Sequence, residues 1–345
     1  MEKIISYDEI PRSTGQSIYL RMNETDPKLY VALLKNGYRI INNISYSDNS
    51  TIYITGRRQD YQFDTDFNKY KKEVNNGILT TLKKDGITEP NTVYFSYKDL
   101  VNYKYQIPFV LKNVNQNGGR EKFLINTEED YENLILACTF LISKKIPTES
   151  KDKRDLIDYG KYLSSNFEIQ EFIKTPSKYN TTVRLLTSSS NDLLYAVLKY
   201  KLPDKYEDKT TLLGYLLSEV FPLSSKSIVS NTLSGGKNIL IGEKNYVDFE
   251  SELLKQHNIN SEEFSKLISS TQNVHEKYKS ELGIICGFDY IYDEEKEKWF
   301  LLELHSRPML GDYSKRQGIK YQTDGDKKTA EGRVRATALK LELSK

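Results

Sequence analysis

Residues 284–308, IICGFDYIYDEEKEKWFLLELHSRP, constrain the fold of this chain more than any other stretch. Two apolar runs flank a short charged segment, the pattern of two antiparallel strands joined by a solvated turn. Asp289 interrupts the first run, which otherwise consists of Ile284, Ile285, Phe288, Tyr290 and Ile291. Glu303 follows fourteen residues later in the second run. Pairing across the DEEKEK turn brings Asp289 and Glu303 roughly opposite each other, and Glu303 and His305, two apart on one strand, share a face. Three oxygen or nitrogen ligands on one sheet face make a divalent-cation site, because carboxylates on an apolar strand need a metal or a cationic partner to be buried. The plainer reading of the same spacing is a solvated polar edge of a sheet. His305 alone reads as an ordinary histidine, and His257 and His275 lie in polar helical contexts with no ligand pattern.

The chain has 345 residues, room for about two domains and a cleft between lobes. Fifty Lys plus Arg against 48 Asp plus Glu leave a net charge of +2, with the signs interspersed. No basic field is present to hold nucleic acid or an anionic membrane, so neither is expected as a partner. An apolar share of 38% and an aromatic share of 12% are too high for a disordered chain. The longest apolar run, residues 134–142, is far short of the roughly 20 needed to cross a bilayer and reads as a buried helix. The N-terminal residues MEKIISYDEIPRS carry no apolar signal core, so a cytoplasmic location is expected. Cys138 and Cys286 sit among apolar residues and read as reduced core thiols.

Periodicity divides the remainder. The first 66 or so residues combine strand-like SIYLRM and TIYIT with a helical PKLYVALLKNGY closed by Gly37, a small α/β unit. A helix is expected over 68–85, stopped by Gly86, followed by a loop into the extended TVYF. QIPFVLK reads as a strand ending at Lys112, then a polar turn with a Gly pair, then a second strand. Thr127 can cap the next helix, with Asp130 three residues on. NFEIQEFI, TTVRLLT and YAVLKYKL read as three further strands. Residues 203–247 read as irregular and polar, and residues 250–279 as helical.

A Gly pair in a hairpin admits close backbone approach and lets successive N–H groups face an anion; Lys112 at the strand end suits a phosphate cradle. A solvated hairpin with a surface lysine fits that segment equally well. The loop is not GxxxxGK[ST] opening a helix, which excludes a Walker-type site.

The order GITEPNTVYF, QIPFVLK, NGG, a helix, IQEFI, TVR, NTLSGG, GFDYIYD and LLELHSRP resembles the ATP-grasp superfamily, most closely its carboxylate–amine ligases, which include D-alanine–D-alanine ligase and the glutamate ligases. The resemblance covers about residues 70–312. It implies an α/β (α+β) architecture, with a small N-terminal α/β domain at 1–85, a small ATP-grasp lobe with a Gly-rich loop at 86–174 and a large lobe at 175–345, ATP lying between the lobes. By resemblance, Lys112 contacts ATP phosphates, Asn117, Gly118 and Gly119 form the closing loop, and Gln170, Glu171, Phe172 and Ile173 receive adenine. Arg184 faces the phosphates or an acyl phosphate. Asn231, Gly235 and Gly236 line the acceptor side, Asp289, Glu303 and His305 bind magnesium or manganese, and Arg307 with Pro308 holds substrate.

The sequence departs from the family pattern at four places. His305 stands where Asn is usual. Asn75 stands where a Lys is usual, with Lys72 nearest. Asn180 or Thr182 replaces the ribose-binding acid. The loop has one Gly pair and no third glycine. The reaction implied is ATP-driven peptide-bond formation through an acyl phosphate, with a small-molecule or peptide carboxylate and an amine as substrates. Family habit implies a homodimer. The rival readings are an ATP-grasp protein of kinase-like activity and a nucleotide-binding regulatory module.

Overall fold

The computed structural model describes residues 10, 12–13, 15–20, 27–41, 52–54, 65–101, 105–113, 121–143, 166–175, 180–191, 193–201, 211–225, 228, 237–241 and 261–305. Helices and sheets are mixed throughout, the α+β composition expected from the sequence. Among the described residues, three sheets carry the fold.

The first is parallel and three-stranded, order β2-β1-β3, from β1 (Ser17–Leu20), β2 (Arg39–Ile41) and β3 (Ile52–Ile54). Helix α1 (Pro27–Lys35) buries Leu29 and Leu33 completely and ends at Gly37, whose φ of 82° is the left-handed value a C-terminal glycine accepts without a Cβ clash. The three-residue β2 was too short to show in the sequence pattern.

Helix α2 (Thr65–Lys83) precedes the second sheet and stops at Gly86, φ 82°. The second sheet is antiparallel, order β4-β7-β5-β6, built from β4 (Thr92–Ser96), β5 (Phe109–Asn113), β6 (Lys122–Ile125) and β7 (Asn166–Glu171). The short α3 (Tyr97–Leu100) follows β4, and α4 (Glu128–Ile142) follows β6. Thr127 caps α4 as expected, its Oγ1 accepting from the Asp130 N–H at 3.0 Å. Leu134, Ala137, Cys138 and Leu141 of α4 pack on Phe109, Leu111, Phe123 and Ile125 of the sheet.

The third sheet is antiparallel with five strands, order β10-β9-β8-β11-β12: β8 (Asn180–Ser188), β9 (Leu193–Lys201), β10 (Lys237–Ile241), β11 (Ile285–Asp293) and β12 (Lys298–His305). Val183, Leu185, Ala196, Leu198, Phe288 and Tyr290 point to one face, where they bury against α6 (Ser261–Lys277), α7 (Lys279–Leu282) and α2. Thus α2, contiguous in sequence with the N-terminal unit, contributes Ile78 and Leu82 to the five-stranded sheet's core.

One reading is corrected here. Residues 203–247 are not uniformly irregular: α5 (Leu212–Tyr215) runs into a π-helical turn (Leu216–Val220), and 237–241 is β10. Leu212, Leu213, Leu216 and Leu217 pack with α4 on the four-stranded sheet, so burial outweighs the helix cost of Gly214 and the polar flanks that masked the pattern. The expected helix over 250–279 is described only from Ser261, and the rest lies outside the described residues. Among the described residues no helix is long and apolar enough to cross a membrane.

Candidate functional site

The polar face of the five-stranded sheet is assembled by register. Asp289 on β11 pairs with Arg184 on β8 and with Glu303 on β12, the pairing expected from the fourteen-residue spacing. The β11–β12 ladder shifts between Asp289 and Tyr290: Tyr290 faces Leu301 while Asp289 faces Glu303, leaving Leu302 as an extra residue. This bulge sets the direction of the side chains. Trp299 and Leu301 lie in the core, and strict alternation would send Glu303 and His305 there too. The extra residue instead returns Leu304 to the core and places Glu303 and His305 with Asp289.

The Arg184 guanidinium grips the Asp289 carboxylate in bidentate fashion, Nε to Oδ1 at 2.5 Å and Nη2 to Oδ2 at 2.6 Å. Lys199 Nζ of β9 adds a contact to Oδ2 at 3.1 Å. His305 Nε2 lies 3.3 Å from Asp289 Oδ2 and 3.2 Å from Glu303 Oε2. Burial alone would raise the Asp289 carboxyl, yet Arg184 and Lys199 hold it well below the usual carboxylate range. Burial would likewise raise Glu303, but Lys122 and the hydrogen bond from His305 push it down. For His305 burial acts downward and the two carboxylates outweigh it, raising the imidazole. Burial lowers Lys199 more than Asp289 raises it.

The four-stranded sheet faces this cluster with its own charged groups. Lys112 of β5 donates to Gln170 Oε1 at 2.5 Å and stands 3.6 Å from Glu168 Oε1, both on β7. Its ammonium is pushed below the ordinary lysine value by burial first and by Lys122 second. Lys122 of β6, the register partner of Lys112, reaches across to the other sheet and contacts Glu303 Oε1 at 3.1 Å. Among the described residues, four cations (Lys112, Lys122, Arg184, Lys199) therefore meet three carboxylates (Glu168, Asp289, Glu303) where the two sheets face each other.

The structure thus brings together Lys112, Gln170, Arg184, Asp289, Glu303 and His305 from the sequence-based set. Glu171 lies at the end of β7, where Oε2 accepts from Asn91 Nδ2 at 3.0 Å and Oε1 pairs with Lys296 of the β11–β12 turn. Phe172 is half-buried and Ile173 buried beside it. Asn180 begins β8, in register with Lys201. Asn117, Gly118, Gly119, Asn231, Gly235, Gly236, Arg307 and Pro308 lie outside the described residues. His275 is a core histidine, Nδ1 facing Thr187 Oγ1 and Nε2 facing the Gly283 carbonyl, each at 2.7 Å. Cys138 and Cys286 are buried thiols outside any disulfide, as read.

Sequence reasoning missed Glu168, Lys122 and Lys199. Lys122 could have been found, since a hairpin that ends one strand with Lys112 places a second lysine directly across it. Lys199 carried a weaker signal: a lysine closing an otherwise apolar AVL run on a central strand.

Asp289, Glu303 and His305 each offer a ligand atom, all within 4.8 Å of one another. Two carboxylates and an imidazole suit a divalent cation of the magnesium or manganese type, manganese accepting the nitrogen ligand more readily.

No protein-family model and no curated protein matches the chain. Among solved structures it is similar to the ATP-grasp ligase PsnB complexed with minimal precursor, at 9% identity over 93% of this chain and 78% of that one, TM-score 0.36. It is also similar to an L-amino acid ligase from Bacillus licheniformis (13% identity, 95% and 75% of the two chains, TM-score 0.42). The D-alanine–D-alanine ligase from Bacillus anthracis complexed with ATP is similar at 11% identity, over 95% of this chain and 100% of that one, TM-score 0.37. The likeness is to ligases, an ATP-grasp ligase among them.

Proposed function

We propose that the chain is an ATP-dependent carboxylate–amine ligase of the ATP-grasp type, acting through an acyl phosphate on an amino-acid or peptide substrate. The observation that carries this reading is the cross-sheet cluster: Lys112 and Lys122 of one sheet stand against Arg184, Lys199, Asp289, Glu303 and His305 of the other. The motif order that resembles the family supports it. A surplus of cations around carboxylates suits a polyphosphate brought in with a divalent ion. The hydroxyl–imidazole pair Thr187–His275 is fully buried and offers no accessible nucleophile for covalent catalysis.

In this reading a substrate carboxylate oxygen attacks the γ-phosphorus of ATP, the bond to the β–γ bridging oxygen breaks, and ADP leaves. An amine nitrogen then attacks the acyl carbon, phosphate departs and the nitrogen loses its proton. Lys112 and Lys122 bind phosphate oxygens, and Arg184 neutralises charge on the transferring group. Glu303 and His305, with Asp289 beside them, would hold magnesium or manganese, which when bound supplies further neutralisation of the phosphates. Gln170 orients Lys112 through the 2.5 Å hydrogen bond, and residues 170–173 receive adenine. Asn180, the loop 117–119 and the Arg307 turn keep the roles that the resemblance implies. The division at 1–85, 86–174 and 175–345, a homodimer and a cytoplasmic location belong to the same proposal.

The test measures ADP and phosphate release from ATP with magnesium or manganese, using pooled amino acids and short peptides. Acceptor-dependent release that falls about 100-fold or more in Lys112→Met and Glu303→Ala is expected. A wild-type protein that binds ATP without acceptor-stimulated release would favour the regulatory module instead, and one that binds no ATP would overturn both.

A further inference from the structure

The carboxylates of the site are not equally open to a metal ion. Asp289 Oδ1 accepts from Arg184 Nε, while Oδ2 faces Arg184 Nη2, Lys199 Nζ and His305 Nε2. A carboxylate oxygen has about two lone-pair directions, so Arg184 Nη2 and Lys199 Nζ between them fill Oδ2 when His305 turns its Nε2 to a metal ion instead. Asp289 and Lys199 are 7% and 6% exposed. Both are buried, and separating a buried pair strands both charges. Glu303 differs on each count. Its side chain is 36% exposed, and its cation is Lys122, 22% exposed and carried on the opposite sheet. A solvent-screened pair of this kind is worth little and opens readily when phosphate offers Lys122 another anion. Fixed charge adds to the asymmetry, since a divalent ion at Asp289 would sit directly against an ammonium and a guanidinium.

We infer that Lys199 fills, with its ammonium, the place at Asp289 that a divalent cation would otherwise take, so that the site holds one divalent ion, on Glu303 and His305. The inference rests on the ATP reading above and deepens it. Two carboxylates lining a triphosphate can clamp a pair of ions; here one of the pair is built into β9. Arg184 and Lys199 then hold Asp289 as their counter-ion, and Lys199 is a positioning residue that sets metal stoichiometry.

The experiment counts Mn2+ bound per chain by electron paramagnetic resonance, with a non-hydrolysable ATP analogue at saturation, independently of turnover. Wild type and Lys199→Arg are expected to bind one Mn2+. Lys199→Met, which removes the charge while keeping length and apolar volume, is expected to bind two, with spin coupling between them. Two Mn2+ in the wild type with the analogue bound would overturn this inference alone, and that measurement does not depend on any variant folding. A count of one in a folded, analogue-binding Lys199→Met would also overturn it. An analogue that fails to bind the wild type would overturn the nucleotide reading, and this inference with it.

Discussion

Asp130 carries a charge into the core of the four-stranded lobe and is stabilised there by hydrogen bonds from described neighbours. Fully buried on the first turn of α4, it accepts at Oδ1 from Ser224 N at 2.7 Å and Ser224 Oγ at 2.9 Å. Oδ2 accepts from Asn126 N at 3.2 Å and from the Ser225 hydroxyl. Burial would raise this carboxyl, and the serine donors outweigh it, leaving it below the ordinary value. Asp130→Ala strands those donors and is expected to cost about 2–3 kcal/mol in denaturant unfolding at pH 7. Because the folded-state value is the lower one, the stabilisation is present above the unfolded carboxylate's pKa of about 3.9 and lost as pH falls through the folded value. The unfolding midpoints of wild type and variant should therefore draw together as pH falls below about 4; a constant gap would refute the charge-based account. In the sequence Asp130 was visible only as part of a capping pattern. Its acceptor role depends on Ser224 and Ser225, about ninety residues away, which no local pattern connects to it.

At the scale of elements, backbone conformation decides more than composition. Gly86 ends α2 at φ 82°, and a Cβ added there would meet nothing within 4 Å. Gly86→Ala should therefore cost only the left-handed backbone penalty, about 1–2 kcal/mol, without disturbing the core. Gly86→Asn, which tolerates that region, should cost less, and thermal unfolding of the two variants checks the order. The β11–β12 hairpin was legible from its two apolar runs and charged turn, and so was the pairing of Asp289 with Glu303. The bulge at Leu302 was not. A single inserted residue leaves the hydrophobic pattern almost unchanged yet reverses which face each later side chain takes. That reversal is what brings Glu303 and His305 to the site.

Across the whole molecule, the chain passes between its cores more than once. Helix α2 joins the five-stranded sheet, while residues 212–223 join the four-stranded one. The segment leading into β4 pairs with β12 through the parallel bridge of Thr88 with Phe300, and the two sheets meet at the Lys122–Glu303 pair. Because that pair is partly exposed, Lys122→Met should change stability by less than about 1 kcal/mol. It should nevertheless weaken binding of an ATP analogue by about tenfold, or about 1.4 kcal/mol. Calorimetric titration beside a denaturation curve separates the two effects; unchanged affinity would remove Lys122 from the phosphate site.

The sequence by itself determined most strands, most helices, the capping of α4 and the carboxylate pair, because each depends on residues within a turn or a hairpin of one another. Tertiary structure alone decided what Asp289 touches. Arg184 and Lys199 lie 105 and 90 residues from it along the chain. They reach it because β8 and β9 stack beside β11 to bury their apolar faces. That placement is fixed by the burial of a whole sheet, an energy summed over distant segments that no local spacing encodes.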